Sequence, residues 1–229
     1  MSSPFLPELA MLDCLEIETA SDPTAAVIWL HGLGADGHDF EPIVPQLAWP
    51  GQPAIRYVFP HAPTRPVTIN NGIVMRAWYD ITGFDLSQRE DETGMRQSAG
   101  QVDELIEREI GRGIAPERIV LAGFSQGGAV ALFTGLRRSR RLAAIIALST
   151  YLALREQVSS EADPANHGTP IWMAHGNMDP VVPIQLGEAS ANYLRSLGYE
   201  VSWETYPIPH GVSPDEIDAI RRFLSTILA

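Results

Sequence analysis

The sequence of 229 residues contains one cysteine, no lysine, and no apolar run that approaches the roughly 20 residues of a membrane-spanning helix. The single cysteine, Cys14, excludes an intramolecular disulfide, and its place near a predicted edge strand indicates a small buried hydrophobic residue. The N-terminal segment lacks a basic stretch followed by a long apolar stretch, so no secretory signal is predicted. We therefore expect a cytoplasmic protein that does not insert stably into a membrane.

Positive charge is scarce as well. The 16 basic residues, all of them arginine, face 28 aspartates and glutamates, which gives a formal net charge of −12. An acidic surface repels the phosphate backbone, so nucleic acid is not an expected partner. With 45% hydrophobic residues and no repeat or low-complexity tract, the composition is typical of a globular protein. We expect residues 1–229 to form a single domain.

Short apolar runs alternate with helical patterns along nearly the whole chain. The predicted buried strands are 26–31, 55–59, 118–122, 143–148, 171–175 and about 200–206. The predicted helices are 37–47, 94–110, 126–136, 183–197 and 213–228. This alternation predicts the α/β class, with a mostly parallel central sheet, helices on both faces and an antiparallel edge strand near residues 12–19.

Two connections between these elements bear on function. Residues 60–93 form a Pro- and Gly-rich connection with scattered aromatic residues, and a connection this long inside a compact domain is usually functional. Residues 149–169, by contrast, are too few to hold a large helical cap. We therefore expect a site that is open above the sheet.

The strongest chemical signal is the pentapeptide Gly123-Phe124-Ser125-Gln126-Gly127, which matches the pattern G-x-S-x-G. An apolar strand leads into it and an amphipathic helix leads out of it, which is the context that a nucleophile elbow requires. A sharp turn there holds the serine in strained backbone geometry, and side chains two positions away on either side would clash. We predict that Ser125 is a nucleophile at the positive end of a helix.

A serine hydroxyl needs a base, and the base needs an orienting carboxylate. In hydrolases built on such an elbow, the chain order is serine, acid, histidine. His210 lies between the last predicted strand and the last predicted helix, where this order requires the base. His167 lies in a polar loop too early in the chain, and His175 ends a strand, where a structural hydrogen bond is expected.

Asp179 is the predicted orienting acid. It lies in the segment HGNMDPVVP directly after strand 171–175, and a carboxylate on such a loop can reach a histidine presented by the adjacent loop. Five other downstream carboxylates are predicted to lie on the solvated surface or inside regular elements: Glu156, Glu161, Asp163, Glu188 and Glu204.

Hydrolysis also needs hydrogen-bond donors for the developing oxyanion. The N–H of Gln126, the residue after the nucleophile, is one predicted donor, and a loop after an early strand supplies the other. Residues 31–37 (HGLGADG) follow strand 26–31, and the N–H of Leu33 is the predicted second donor. This segment lacks the Lys-Ser/Thr ending of a phosphate loop. No group of Cys, His or carboxylates has the spacing of a metal site, so no metal is expected.

These residues resemble the carboxylesterase and acyl-protein thioesterase family, the phospholipase/carboxylesterase family of α/β hydrolases. The resemblance runs from about residue 13 to the C-terminus and rests on VIWLHGLGADG, FPHAPTRPVTINNGIVMRAWYDI, GFSQGGAVAL, HGNMDPVVP and the His-Gly before the last helix. It implies an α/β-hydrolase fold without a large cap domain, no cofactor, and a monomer or homodimer. It assigns the same triad and oxyanion donors, and it implies that residues 60–84 wall an acyl pocket lined by Trp78.

The predicted activity is hydrolysis of carboxylic esters with short-to-medium acyl chains through an acyl-enzyme on Ser125, because an uncapped site cannot enclose a long chain. The expected partner is a small-molecule ester or thioester, or an acylated protein. An acyl-protein thioesterase or lysophospholipase is the alternative within the enzyme class. From a different class, a non-catalytic binding protein on a hydrolase scaffold stays open, although the complete triad argues against it.

Overall fold

The computed structural model describes residues 11–83 and 91–229. The strands in these ranges are β1 (Cys14–Glu18), β2 (Ala25–Leu30), β3 (Ile55–Pro60), β4 (Thr64–Val67), β5 (Ile73–Arg76), β6 (Ile119–Phe124), β7 (Ala144–Leu148), β8 (Ile171–Gly176) and β9 (Val201–Tyr206). The α-helices are α1 (Glu92–Gly111), α2 (Gln126–Arg137), α3 (Arg155–Glu161), α4 (Ile184–Ser196) and α5 (Pro214–Ile227).

Seven of these strands form one sheet in the order β1-β3-β2-β6-β7-β8-β9. Every neighbouring pair is parallel except β1 and β3, which run antiparallel with Cys14 opposite Pro60. The prediction of a mostly parallel sheet with an antiparallel edge strand is confirmed. Because the other six strands run the same way, the loops after β2, β6, β8 and β9 meet at one edge, and these loops carry the predicted triad and oxyanion residues.

Both faces of the sheet are covered, as strand β2 shows. All six of its residues are buried. Ile28 and Leu30 pack in a cluster with residues of α1, α2 and α4, whereas Val27 and Trp29 pack in a second cluster with residues of α5. A strand buried on both faces cannot alternate apolar with polar residues, which explains the continuous apolar runs in the sequence.

Two segments differ from the sequence prediction. Residues 37–47 do not form an α-helix but a 3-10 helix at Glu41–Leu47, where Pro45 lacks the N–H that an α-helical hydrogen bond would use. The connection at 60–93 is not irregular throughout, because β4 and β5 pair as an antiparallel hairpin within it. Residues 84–90 of this connection lie outside the described residues.

Cys14 is half-buried on edge strand β1 rather than fully buried as expected. Its thiol donates a hydrogen bond of 3.2 Å to the Leu12 carbonyl oxygen. Burial raises the pKa of the Cys14 thiol to about 11. The thiol is therefore protonated and unreactive at neutral pH.

Helix α5 begins with Pro214 at its first position, and the Ser213 hydroxyl accepts the N–H of Glu216 at 3.2 Å. The Glu216 side chain is completely buried, and within the described ranges neither of its carboxyl oxygens has a hydrogen-bond partner. Burial, together with the weaker effect of the Glu204 charge, raises the pKa of Glu216 to about 7. Glu216 is thus a buried acid that titrates near neutrality.

Glu216→Gln is expected to stabilise the protein above neutral pH and to change its stability little in acid. The pKa of Glu216 is about 7 in the folded chain, whereas the ordinary value of 4.5 applies to the unfolded chain. The folded chain therefore binds more protons between these two values, and the free energy of unfolding falls as pH rises from 4.5 to about 7. The amide variant escapes this loss, which reaches about 3 kcal/mol at pH well above the window. Urea unfolding at about pH 5 and about pH 8 measures the difference.

The matched control is Asp215→Asn, which removes an exposed charge from the same helical turn. It is expected to cost a few tenths of a kcal/mol through the helix dipole and to give no gain at alkaline pH. Equal behaviour of the two variants at alkaline pH would contradict the assignment of a buried, ionising Glu216.

Candidate active site

Ser125 lies in the turn between β6 and α2 with backbone angles φ 54° and ψ −120°. A non-glycine residue pays strain energy at a positive φ, and such strain is typical of functional turns. The turn is possible because its neighbours are glycines. A Cβ at Gly123 would collide with the backbone of Gly127, and a Cβ at Gly127 would collide with the carbonyl oxygens of Leu30 and His31. A strained turn therefore lies at the position where the sequence predicts a nucleophile elbow.

Asp179 and His210 form a short hydrogen bond. The Nδ1 atom of His210 lies 2.6 Å from Oδ2 of Asp179, whose side chain is completely buried. The other carboxylate oxygen, Oδ1, accepts the N–H groups of Val181 at 2.8 Å and Val182 at 2.9 Å. Since the carboxylate can only accept, Nδ1 carries the proton and Nε2 of His210 is left with the lone pair that a general base needs.

The His210 ring lies against the elbow. Its centroid is 4.7 Å from that of the Phe124 ring, the residue directly before Ser125. The hydrogen bonds among the described residues do not include one between the Ser125 hydroxyl and the His210 ring, and in enzymes without bound substrate this bond is often long. The structure therefore brings all three predicted triad residues to one place, with the Asp179–His210 bond already made.

Leu33 and Gln126 both line the same cavity as Ser125. A Cβ built on Gly32 would lie 3.5 Å from Cβ of Ser125, so the loop after β2 approaches the elbow closely. The hydrogen bonds found in the described part of the chain use neither the N–H of Leu33 nor that of Gln126. Both predicted donors are therefore available to an oxyanion at this position.

The structure gives Trp78 a different place from the predicted one. Its indole is completely buried, and the neighbouring Tyr79 lines the cavity instead. The indole N–H donates to the His31 carbonyl oxygen at 2.9 Å, and the Trp78 backbone N–H donates to Oε1 of Gln126 at 2.8 Å. The Gln126 amide also donates to the Tyr79 carbonyl oxygen at 2.7 Å. Trp78 therefore connects Gln126 to the end of the segment that precedes Leu33.

His31 begins the loop after β2, and the sequence did not indicate a specific role for its side chain. Its ring lies between two backbone groups, with Nδ1 2.7 Å from the Gly32 carbonyl oxygen and Nε2 accepting the N–H of Ala62 at 3.0 Å. These partners require a neutral ring with its proton on Nδ1. Burial lowers the pKa of His31 to about 4, in agreement with that state. A neutral His31 thus joins the loop after β2 to the segment after β3.

A cavity of about 210 Å³ opens beside Ser125. Its walls are mostly aliphatic and aromatic, which suits an acyl chain. The lining residues are Leu33, Ile69, Asn70, Tyr79, Ile81, Ser125, Gln126, Tyr151, Val181 and Val182. Four of them come from the long connection after β3, as the family resemblance implied for residues 60–84. The Tyr79 and Tyr151 hydroxyls lie 3.1 Å apart and join this connection to the loop after β7.

Two further properties concern ligands and membranes. Across residues 11–83 and 91–229, no three His, Cys, Asp or Glu side chains are grouped so that they could hold a metal ion. Among the helices in the same ranges, none combines the length and the apolar character needed to cross a membrane.

Comparison with known proteins agrees with this geometry. The sequence model of the Phospholipase/Carboxylesterase family matches residues 12–228. The chain belongs to this family. Acyl-protein thioesterase 1 of Gibberella zeae is 41% identical over 221 residues, which cover 92% of this chain and 93% of the relative. Acyl-protein thioesterase 1 of Cryptococcus neoformans is 37% identical over 231 residues, which cover 93% and 97%.

Solved structures give the same result. The crystal structure of Arabidopsis thaliana SOBER1 is similar with a TM-score of 0.85 and 31% identity, covering 90% of this chain and 99% of that one. This member of the Phospholipase/Carboxylesterase family therefore has the α/β-hydrolase fold, as predicted. Both sequence relatives carry the name acyl-protein thioesterase 1, which is the alternative that the sequence analysis gave beside a carboxylesterase of short-to-medium acyl chains.

Gln126→Leu tests the support beneath the site. It removes both side-chain hydrogen bonds of a residue that is 3% exposed and leaves the Trp78 N–H and the Tyr79 carbonyl oxygen without these partners. The free energy of unfolding is expected to fall by about 2–4 kcal/mol. Denaturant unfolding of the purified variant measures this change.

Gln157→Leu is the matched control, because the Gln157 amide bonds only exposed charged side chains. It is expected to change the free energy of unfolding by about 0.5 kcal/mol or less. A loss for Gln126→Leu no larger than the control's would show that the amide bridge contributes little.

Proposed function

We propose that this protein is a serine hydrolase that cleaves acyl thioesters, above all those of acylated proteins, through an acyl-enzyme on Ser125. The proposal rests on the hydrogen bond of 2.6 Å between Asp179 and His210. This pair lies near Ser125, which has a strained backbone and lines an apolar cavity. Nucleophile, base and acid follow the chain order of elbow hydrolases. The names of the relatives supply the thioester class.

In the proposed mechanism, Nε2 of His210 removes the Ser125 proton as the hydroxyl oxygen attacks the acyl carbonyl carbon. The N–H groups of Leu33 and Gln126 donate to the oxyanion, and Asp179 stabilises the imidazolium. The imidazolium then protonates the departing thiol or alcohol as its bond to the acyl carbon breaks. Water, deprotonated by His210, releases the acid and regenerates the serine.

An acylated protein can reach this site because the cavity opens to solvent. Val181 lines the cavity and is also 59% exposed, so the wall of the acyl pocket continues onto the molecular surface. The chain between β7 and β8 adds only the seven-residue helix α3 and the 3-10 turn Pro164–Asn166. A polypeptide leaving group can therefore remain outside while its acyl chain enters.

The second candidate is the carboxylesterase acting on short-to-medium acyl esters, and cavity size favours it. Pockets for drug-sized ligands usually measure about 300–1,000 Å³. The cavity of about 210 Å³ is smaller than that range. The two candidates share one machinery and differ only in the leaving group and in the length of chain that is accepted.

Ser125→Ala is expected to lower kcat by about 10⁴-fold or more, because the variant lacks the hydroxyl that forms the acyl-enzyme in the proposed mechanism. Hydrolysis of a nitrophenyl ester and labelling by a fluorophosphonate probe, followed by peptide mapping, measure the loss. Ser160→Ala is the control, since Ser160 is exposed and bonds only a nearby carbonyl oxygen. Full activity of Ser125→Ala would contradict the assignment of Ser125 as the nucleophile. Absence of label on wild-type Ser125, together with absence of hydrolysis, would instead support a non-catalytic protein.

Substrate class is tested with matched acyl thioesters and oxygen esters in a chain-length series that includes lysophospholipids. Each kcat/KM is divided by the substrate's rate of alkaline hydrolysis, which corrects for the intrinsic reactivity of the bond. The corrected kcat/KM is expected to be higher for thioesters than for the matched oxygen esters. The rate is expected to peak at medium chain length because of the cavity's size. Higher corrected rates for oxygen esters would favour the carboxylesterase, and a maximum at palmitoyl chains would contradict the inferred chain limit.

A further inference from the structure

His175 is the second-to-last residue of β8, and it is completely buried near Asp179. Its Nε2 atom lies 2.9 Å from the Val182 carbonyl oxygen. A carbonyl oxygen only accepts, so Nε2 carries the ring proton and donates it. Within the described ranges, Nδ1 has no hydrogen-bond partner. The proposed mechanism above uses neither atom.

The backbone of Val182 connects His175 to Asp179. Its carbonyl oxygen accepts from Nε2 of His175, and its N–H donates to Oδ1 of Asp179 at 2.9 Å. The other carboxylate oxygen, Oδ2, accepts from His210 and lies 3.5 Å from Nε2 of His175. The turn at 179–182 is therefore fixed from both sides, by the carboxylate it carries and by the buried imidazole behind it.

The far side of the ring is closed by apolar groups. A Cβ built on Gly187 of α4 would lie 2.6 Å from Nδ1 of His175 and 2.8 Å from the Trp203 ring. The Trp203 ring centroid is 5.9 Å from that of His175. Burial lowers the pKa of His175, and the charged or titratable groups that act on it are Asp179 and His210. A protonated ring would place an N–H at Nδ1 where no acceptor lies among the described residues.

We propose that His175 is a positioning residue, whose neutral Nε2–H tautomer holds the turn at 179–182 and so aims the Asp179 carboxylate at His210. This inference rests on the proposed function, because it assigns a role within the same triad. His175 touches neither substrate nor nucleophile in this scheme. Its effect reaches the reaction through Val182 and Asp179.

His175→Leu is expected to lower kcat on the order of 10–100-fold, since a displacement of about 1 Å in a positioned group has that effect on rate. KM is expected to change by less than about threefold, because the oxyanion donors and most of the cavity wall are untouched. His175→Gln can keep a donor near the Nε2 position and is expected to restore most of kcat. Equal loss in both variants with equal thermal stability would overturn the proposal.

A double-mutant cycle separates positioning from general destabilisation. In an Asp179→Asn background, His175→Leu is expected to cost less than about threefold further, because the group it positions is already altered. If His175→Leu costs the same factor in both backgrounds, His175 does not act through Asp179 and the inference fails. Inactivity of Ser125→Ala alongside that result would leave the proposed function standing, whereas an active Ser125→Ala would remove both.

Gly187→Ala provides a variant that leaves every hydrogen bond of the turn chemically intact. The added methyl group presses on Nδ1 of His175, while the helix itself gains from alanine. A fall in kcat of about tenfold is expected, with a much smaller effect in the Asp179→Asn background. Wild-type kcat in folded Gly187→Ala would show that the ring's position does not matter, and would overturn the proposal even if the His175 variants did not fold.

Discussion

The site depends on close backbone contacts at the turn between β6 and α2, which leave no room for a side chain at Gly127. The α2 N-terminus lies directly against the end of β2, since a Cβ at Gly127 would occupy the space of the Leu30 and His31 carbonyl oxygens. This contact places the loop after β2 beside the turn after β6. Leu33 and Gln126 therefore line one cavity together with Ser125. The proximity of Ser125 to the two proposed oxyanion donors follows from one close approach of two backbone segments.

Much of this arrangement could be predicted from the sequence because the chemistry follows strand order. In a parallel sheet, residues just after each strand share one edge, so Ser125, Asp179 and His210 can be placed together without knowledge of side-chain contacts. The buried strands were recognisable for a related reason. Strands covered on both faces must be apolar throughout, and β2 and β8 are buried at every position.

The features that the sequence did not reveal are set by tertiary contacts. Trp78 looks like a pocket-lining aromatic residue in a family segment. In the structure its indole N–H bonds His31, its backbone N–H bonds Gln126, and the ring is completely buried. The 3-10 helix at Glu41–Leu47 retains a helical apolar pattern, and the prolines within it decide its type. Neither the ring's burial nor the cavity's shape is encoded in local periodicity, because both depend on which chain segments meet.

Burial also separates the roles of three imidazoles around one reaction centre. His31 donates to a carbonyl oxygen on the oxyanion side, and His175 donates to one on the acid side. Desolvation lowers the pKa of both rings, so each remains a fixed neutral donor. His210 differs because it meets the Asp179 carboxylate at 2.6 Å and its side chain is 17% exposed. The proposed mechanism therefore uses His210 as the base, with the Asp179 carboxylate beside its Nδ1 atom, while the two buried rings hold the loops on either side of it.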